Sequence, residues 1–534
     1  MPHKISGPYY PIVYVRGYAM TEGERDDVFH DAYYGFSATS VEKRDAAPPK
    51  YFEVDIFEGQ FIRLMKMKNY GYADAVNRGL HDFHDNPTRS IWISRFYDRD
   101  YLHGAIRPIT DHAAELCDLI AGPASGTNPT KDDIRSRLKA LGCDFGPNDE
   151  EFKVILVAHS MGGLVCRTLI HNVMPARGLD PKSWIHRIVT IASPHGGIQL
   201  SAVPQKLQDL GSRLFNPFDA GIFDPPIMRK YLNLEEDEDP RSLGKTGYPV
   251  KRFFCVIGSD HNAYSAVRFV TGGFSDGLVK QNNAYVVTGP PEKIEPDGNK
   301  RYPQAQVAFG ANVHRAHSGN RGIVNSYETY ENLTRFLFGN IKADVSLGDL
   351  KVTTPDDENA RYFYDIEFLA SIKGTGVYLQ RREQDPCENA IRFEAGNIPS
   401  EVPLYTGFLR SEEKMNPEAE HVEFALTVRV IEHRIEHHLL WDHEYPGRQI
   451  YNETLMIHYG DTNQAKPGNE VSYLWLSDRG AGWTEVDADE RGVYSITLRA
   501  AQSVSGVIRI AASPWPDIKL TEDDAPSPKP PLPG

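Results

Sequence analysis

Apolar runs of strand length punctuate the first 260 residues of the chain. Pro11–Val15 (PIVYV), Ser90–Ser94 (SIWIS), Lys153–Ala158 (KVILVA), Arg187–Ala192 (RIVTIA) and Arg252–Gly258 (RFFCVIG) read as buried strands, and Ala305–Gly310 (AQVAFG) extends the series. Helical stretches lie between several of them: Asp111–Gly122 and Ile134–Leu141 precede the Lys153 run, and Gly163–Met174 follows it. Strands apolar on both faces, alternating with helices, predict an α/β fold with a doubly wound, mostly parallel sheet covered on both sides. Between residues 198 and 248 the pattern breaks into apolar and aromatic residues mixed with prolines and an acidic run, which predicts an insertion over the sheet. The segment Tyr327–Phe338 spaces Tyr330, Leu333, Phe336 and Leu337 as one helical face. Asn325 with Glu328 forms an expected capping box and Gly339 an expected stop, so this helix is read as the last element of a first domain spanning 1–342.

The texture then changes. YFYDIEFLASI, HVEFALTVRVI, ETLMIHYG, VSYLWLS, GVYSITLRA and GVIRIAAS alternate or run apolar at strand length with turn residues between them. Strands without helices predict an antiparallel, all-β sandwich over 343–516. The remaining 517–534 is proline-rich and reads as a disordered tail.

Charge narrows the functional classes. The formal net charge of −15 argues against nucleic-acid binding and against bulk attraction to anionic membranes. Five scattered cysteines with no CxxC spacing signal neither a disulfide framework nor a cysteine-zinc site. No run approaches the roughly 18 apolar residues of a membrane span. The N-terminus shows no charged-then-apolar leader before its first strand, so the expected compartment is the cytoplasm.

The chemistry centres on Ala158-His159-Ser160-Met161-Gly162. A strand, a tight turn carrying serine, and a helix form the nucleophile-elbow pattern, which needs small residues two before and two after the serine. The Met161 amide then sits at a helix N-terminus and can hold an oxyanion. A second donor is expected from the loop after the first strand, VRGYA, where Gly17 lets the chain turn back and the Tyr18 amide is the candidate. In such folds the acid and the base follow the serine in that order. FSDGLVKQNNA offers Asp276, with Asp260 as a rival at a strand end; NVHRAHSGNRG offers His317, next to Ser318-Gly319, with His314 as its rival.

At these residues the chain resembles the α/β-hydrolase lipases, particularly bacterial ones. AHSMGG is the lipase form of the elbow, IASPHGG resembles the stretch after their following strand, and SDGLV resembles the turn bearing their catalytic aspartate, which favours Asp276 over Asp260. Arg16 stands where those lipases usually carry a histidine, and PHGG is also similar to inositol-deacylase-type lipid-remodelling enzymes. The resemblance covers about residues 10–340 and implies hydrolysis of carboxylic esters, lipid or acyl, through an acyl-enzyme on Ser160, with no cofactor and no metal. It also implies a lid over 198–248, with Leu214, Phe215, Phe218 and Phe223, beside His159, on the substrate side. The lid or the sandwich could touch a membrane peripherally. An acyltransferase or an amide-cleaving deacylase using the same residues is the alternative, and a non-catalytic scaffold acting through the sandwich is a third class.

Two other patterns suggest metal or cation binding. His433–His437 (HRIEH) matches a zinc-protease motif that requires a helix, yet the preceding residues alternate with Phe424, Leu426, Val428 and Val430 on one face, as in a strand. Glu235–Asp239 (EEDED) reads as a solvated acidic run.

Overall fold

The computed structural model describes residues 3–4, 7–17, 41–45, 52–56, 60–66, 71–74, 86–94, 107–123, 133–198, 220–261, 274–294, 300–317, 322–357, 359–411, 421–437, 442–460, 471–478, 480–499 and 501–515. The chain divides into two units, Met1–Leu333 and Thr334–Gly534. The division falls inside the helix Tyr327–Phe338. Its last turn packs with the second unit: the Phe336 ring meets Phe408 and Trp515, and the Trp515 indole donates to the Phe336 carbonyl at 2.9 Å.

The first unit is built on seven strands: β1 (Ile12–Val15), β2 (Ala73–Asp74), β3 (Ser90–Ser94), β4 (Val154–His159), β5 (Ile185–Ile191), β6 (Phe253–Gly258) and β7 (Phe309–Val313). Their order across the sheet is β7-β6-β5-β4-β1-β3-β2, and every neighbouring pair is parallel. The inner strands are buried along their whole length, which is why they carry continuous apolar runs instead of alternation. β2 is a two-residue edge strand with no apolar run to announce it, and β7 starts four residues later than AQVAFG suggests. Helices α1 (Ile109–Ala121), α2 (Ile134–Ala140) and α3 (Met161–Thr168) follow the expected stretches. α3 continues through a π-helical turn, Leu169–Val173.

Because all seven strands run the same way, the loops that follow them leave from one edge of the sheet. Ligand sites of open α/β sheets form at that edge. Gly17, Ser160, Ser193, Asp260 and His317 all follow strand C-termini, and Asp276 lies further along after β6.

The helix Tyr327–Phe338 is capped one residue later than the capping box placed it. The Ser326 hydroxyl accepts from the Thr329 amide at 3.1 Å, while Glu328 turns away to hold Arg315 in a two-pronged ion pair. A charged partner outcompetes the backbone amide for a carboxylate, and serine supplies the shorter cap.

The second unit consists of two antiparallel sheets. One orders Glu401–Leu409, Ile341–Val352, Val504–Pro514 and Val493–Thr497. The other orders Tyr378–Arg382, Ala360–Ile372, β8 (His421–His437), β9 (Arg448–Gly460), Val471–Trp475 and Thr484–Val486, with two short strands off this path. Inward side chains of both sheets, among them Val345, Ile508, Phe368, Val428 and Ile457, form one apolar core, so the unit is a β-sandwich. HRIEH lies in β8, where Phe424, Leu426, Val428 and Val430 are all buried on the core face. Among the described residues no helix is long and apolar enough to cross a membrane.

Candidate active site

β4 delivers the chain to the elbow. Ser160 takes φ 52° and ψ −126°, a conformation strained for a non-glycine residue, and its amide donates to Ile191 at 2.9 Å. The strain is held by packing on both sides. A Cβ on Gly162 would sit 2.3 Å from the Val15 carbonyl oxygen, and one on Gly163 would sit 2.3 Å from Ser193 Oγ. α3 can therefore approach the sheet only with glycine at both positions. Gly17 closes the other side: a Cβ there would lie 2.6 Å from that of Ser160 and 3.0 Å from the His159 carbonyl oxygen. We expect Gly17→Ala to displace Ser160 and lower kcat on a soluble ester about 100-fold with little change in melting temperature. An alanine variant with parental kcat would show that the close approach has no bearing on turnover.

The serine meets a histidine and a carboxylate in sequence. Ser160 Oγ lies 3.0 Å from His317 Nε2, and His317 Nδ1 lies 2.9 Å from Asp276 Oδ2. With Asp276 accepting, the ring proton sits on Nδ1 and leaves Nε2 to accept from the serine hydroxyl. Asp276 is itself fixed. Its Oδ1 accepts from the Leu278 and Val279 amides at 3.0 and 2.7 Å, and its backbone carbonyl accepts from the His317 amide at 2.9 Å. All three side chains are buried. Gly258 makes room for this turn, since a Cβ there would stand 2.7 Å from Asp276 Cβ.

The rivals make other contacts. The His314 ring lies 3.4 Å from Ser259 Oγ, and the Asp260 amide donates to the Arg315 carbonyl. The carboxylate that meets His317 Nδ1 is that of Asp276.

His159 packs directly beside the His317 ring. It is 6% exposed, its ring tilts against that of His317 at 5.0 Å, and its Nε2 donates to the His317 carbonyl at 3.2 Å. Burial, then the neighbouring His317 and Arg16, hold its pKa well below the usual histidine value, so it stays neutral. Met161 occupies the first position of α3, where a backbone N–H has no partner within the helix. Phe223 is buried at the end of a short 3-10 helix and gives its carbonyl to the Ile198 amide. Tyr18, Leu214, Phe215 and Phe218 lie outside the described residues.

Sequence reasoning missed Arg167. It stands in an otherwise apolar helix, fully buried, and donates to the carbonyls of His195, Pro240 and Ser242. Burial pushes its pKa down to about 10, so it remains charged at neutral pH. It ties α3 to the PHGG turn and to the described end of the 198–248 segment. There Met228, Leu232, Leu243 and Tyr248 are buried. Asp239, the last member of the acidic run, is not solvated but buried against Arg241, with Tyr302 donating to it at 2.9 Å. The arginine fork and the tyrosine hydroxyl hold its pKa down to about 2 against the opposing effect of burial.

Residues 99–214 match the PGAP1-like alpha/beta domain family, a span that contains β4, Ser160, α3 and β5. The first unit has an α/β-hydrolase-like fold. Asp276 and His317 lie beyond the matched span. Among solved structures, the chain is similar to phospholipase PlaB from Legionella pneumophila in complex with thio-NAD, with 12% identity, 89% of this chain and 91% of that chain covered, and a TM-score of 0.31. It is also similar to the Tle4-Tli4 complex, with 15% identity over 41% of this chain and 32% of that chain, and a TM-score of 0.16. Likeness at those scores carries no argument about activity. No curated protein matches the chain.

Proposed function

We propose that this α/β-hydrolase cleaves carboxylic esters of acyl or lipid type through a Ser160–His317–Asp276 triad. The observation that carries the reading is the unbroken hydrogen-bonded chain from Asp276 Oδ2 through both ring nitrogens of His317 to Ser160 Oγ. His317 takes the Ser160 proton as Oγ attacks the ester carbonyl. Asp276 keeps the proton on Nδ1 and stabilises the imidazolium that forms. The Met161 amide, with the Tyr18 amide as second donor, stabilises the oxyanion at the positive end of α3. His317 then protonates the leaving alcohol, and a water activated by the same imidazole releases the acid.

The reaction is tested with p-nitrophenyl esters of increasing acyl length. Burst kinetics and steady turnover are expected, with labelling of Ser160 by a serine-reactive phosphonate. Labelling without turnover of any ester would move the reading to amides or to acyl transfer, which product analysis with an added alcohol acceptor separates from hydrolysis. No labelling of Ser160 would remove the catalytic reading altogether.

A further inference from the structure

The outer face of the sandwich carries a second cluster of reactive side chains. His421 and Glu423 are two residues apart on β8, and His458 lies directly across from Glu423 on β9. Val422, Phe424, Ile457 and Tyr459, the residues between and beside them, are buried in the core. Strand alternation therefore puts His421, Glu423 and His458 together on the opposite face. Each of the three is half-buried rather than extended into solvent.

Their placement is unusual for a solvated sheet face. The His421 and His458 rings stack at 3.6 Å between centroids, and the Trp483 indole covers the other side of His458 at 3.3 Å. One potential ligand atom from each of the three residues lies within 4.8 Å of the other two, and His458 Nε2 is 3.4 Å from Glu423 Oε2. Bonds of about 2.0–2.1 Å in tetrahedral geometry separate neighbouring ligand atoms by about 3.4 Å. The shorter separation is thus already that of a coordinated pair. All three ligand atoms lie within 4.8 Å of one another, and meeting one ion requires the stacked imidazoles to turn out of their near-parallel arrangement.

We propose that His421, Glu423 and His458 bind one divalent cation of the zinc type on the outer face of the sandwich. Two imidazoles and one carboxylate suit zinc and its first-row neighbours rather than magnesium or calcium, which take oxygen ligands. Three protein ligands leave the fourth position of a tetrahedral ion to water or to a group from outside. Lys373 is the competitor: its Nζ lies 2.7 Å from Glu423 Oε2, and its amide donates to the Glu423 carbonyl. A carboxylate has about four lone-pair positions, so Glu423 can serve the ion and the ammonium together. The ion cross-links β8 and β9 near one end of their pairing. None of this depends on the chemistry proposed for Ser160.

The test uses the full chain, stripped with a chelator and titrated with Zn(II) by calorimetry and with Co(II) by visible absorption. One equivalent of Zn(II) is expected to bind, with the intense absorption of four-coordinate Co(II). Glu423→Gln and His458→Ala should each weaken binding by more than the roughly 10–100-fold that loss of an outer-shell partner causes. They should also abolish the Co(II) band. Glu423→Gln is isosteric and partly exposed, so it keeps the test decisive even where the histidine variant folds poorly. Absence of a stoichiometric site in the parent, leaving only the Lys373–Glu423 ion pair, overturns the proposal. So does a site whose affinity and absorption survive both substitutions.

Discussion

Ser160→Ala and His317→Ala are each expected to reduce ester turnover by about 10⁴–10⁶-fold, with the double variant no worse than either single one. In the proposed triad the three side chains act as one unit: the hydroxyl, 3.0 Å from Nε2, is a nucleophile only while Nε2 accepts its proton, and Nε2 accepts only while Asp276, 2.9 Å from Nδ1, keeps the other proton there. Asp276→Asn keeps the shape but offers Nδ1 a donor, which favours the wrong tautomer, and a loss near 10⁴-fold is expected. Asp260→Asn and His314→Ala should stay within about tenfold of the parent, since neither lies on this chain of hydrogen bonds. The measurement is kcat/KM on one soluble ester, with phosphonate labelling of the histidine and aspartate variants as a check that the elbow is intact. Parental turnover by Asp276→Asn, or a dead Asp260→Asn, would reassign the acid.

Stability of the first unit is expected to fall steeply as the solution is acidified. His112, His159, His171 and His195 are all buried, and burial is the first cause holding each pKa below the histidine value, down to about 3 for His112. In the unfolded chain each returns to about 6.5. Below that pH the unfolded state binds more protons than the folded one, so stability is full above about pH 7 and is lost as pH drops. Each such histidine removes on the order of 1 kcal/mol by pH ~5.5, and the four together remove several kcal/mol. That is comparable with the whole stability of an ordinary domain. Urea unfolding followed between about pH 8 and 5.5 measures the slope. A midpoint that does not move over that range would mean the buried imidazoles are protonated in the folded state, against the burial seen here.

His195 shows why such residues are tolerated. Its Nε2 lies 3.0 Å from Thr190 Oγ1, and its carbonyl accepts from Arg167 at 3.1 Å. It is part of the wall behind the elbow. Two residues on, Gly197, at φ 86°, lets the chain approach Phe223, whose carbonyl oxygen would lie 2.5 Å from a Cβ there. PHGG is thus readable as a tight turn from sequence, but its task of docking the 220–248 segment appears only when Arg167 is seen reaching both.

The apolar runs of β1, β3, β4, β5 and β6 were legible in the sequence because a strand buried on both faces must be apolar throughout. The elbow was legible because its constraints are local: a strained serine turn needs small neighbours within two residues. The alternating run before HRIEH likewise identified a strand, which removed the helical zinc motif. Tertiary structure alone decided everything that depends on approach between distant segments. It chose Asp276 and His317 as the neighbours of Ser160 over Asp260 and His314, because loop residues carry no periodicity that says where they point. It moved the helix cap from Asn325 to Ser326 because Arg315 claims Glu328. It buried Asp239 out of an acidic run by supplying Arg241 and Tyr302. It brought His458 across from Glu423 because cross-strand register joins residues that the sequence keeps far apart. Local sterics and periodicity are written in neighbouring residues; partners are fixed only when the chain has folded back on itself.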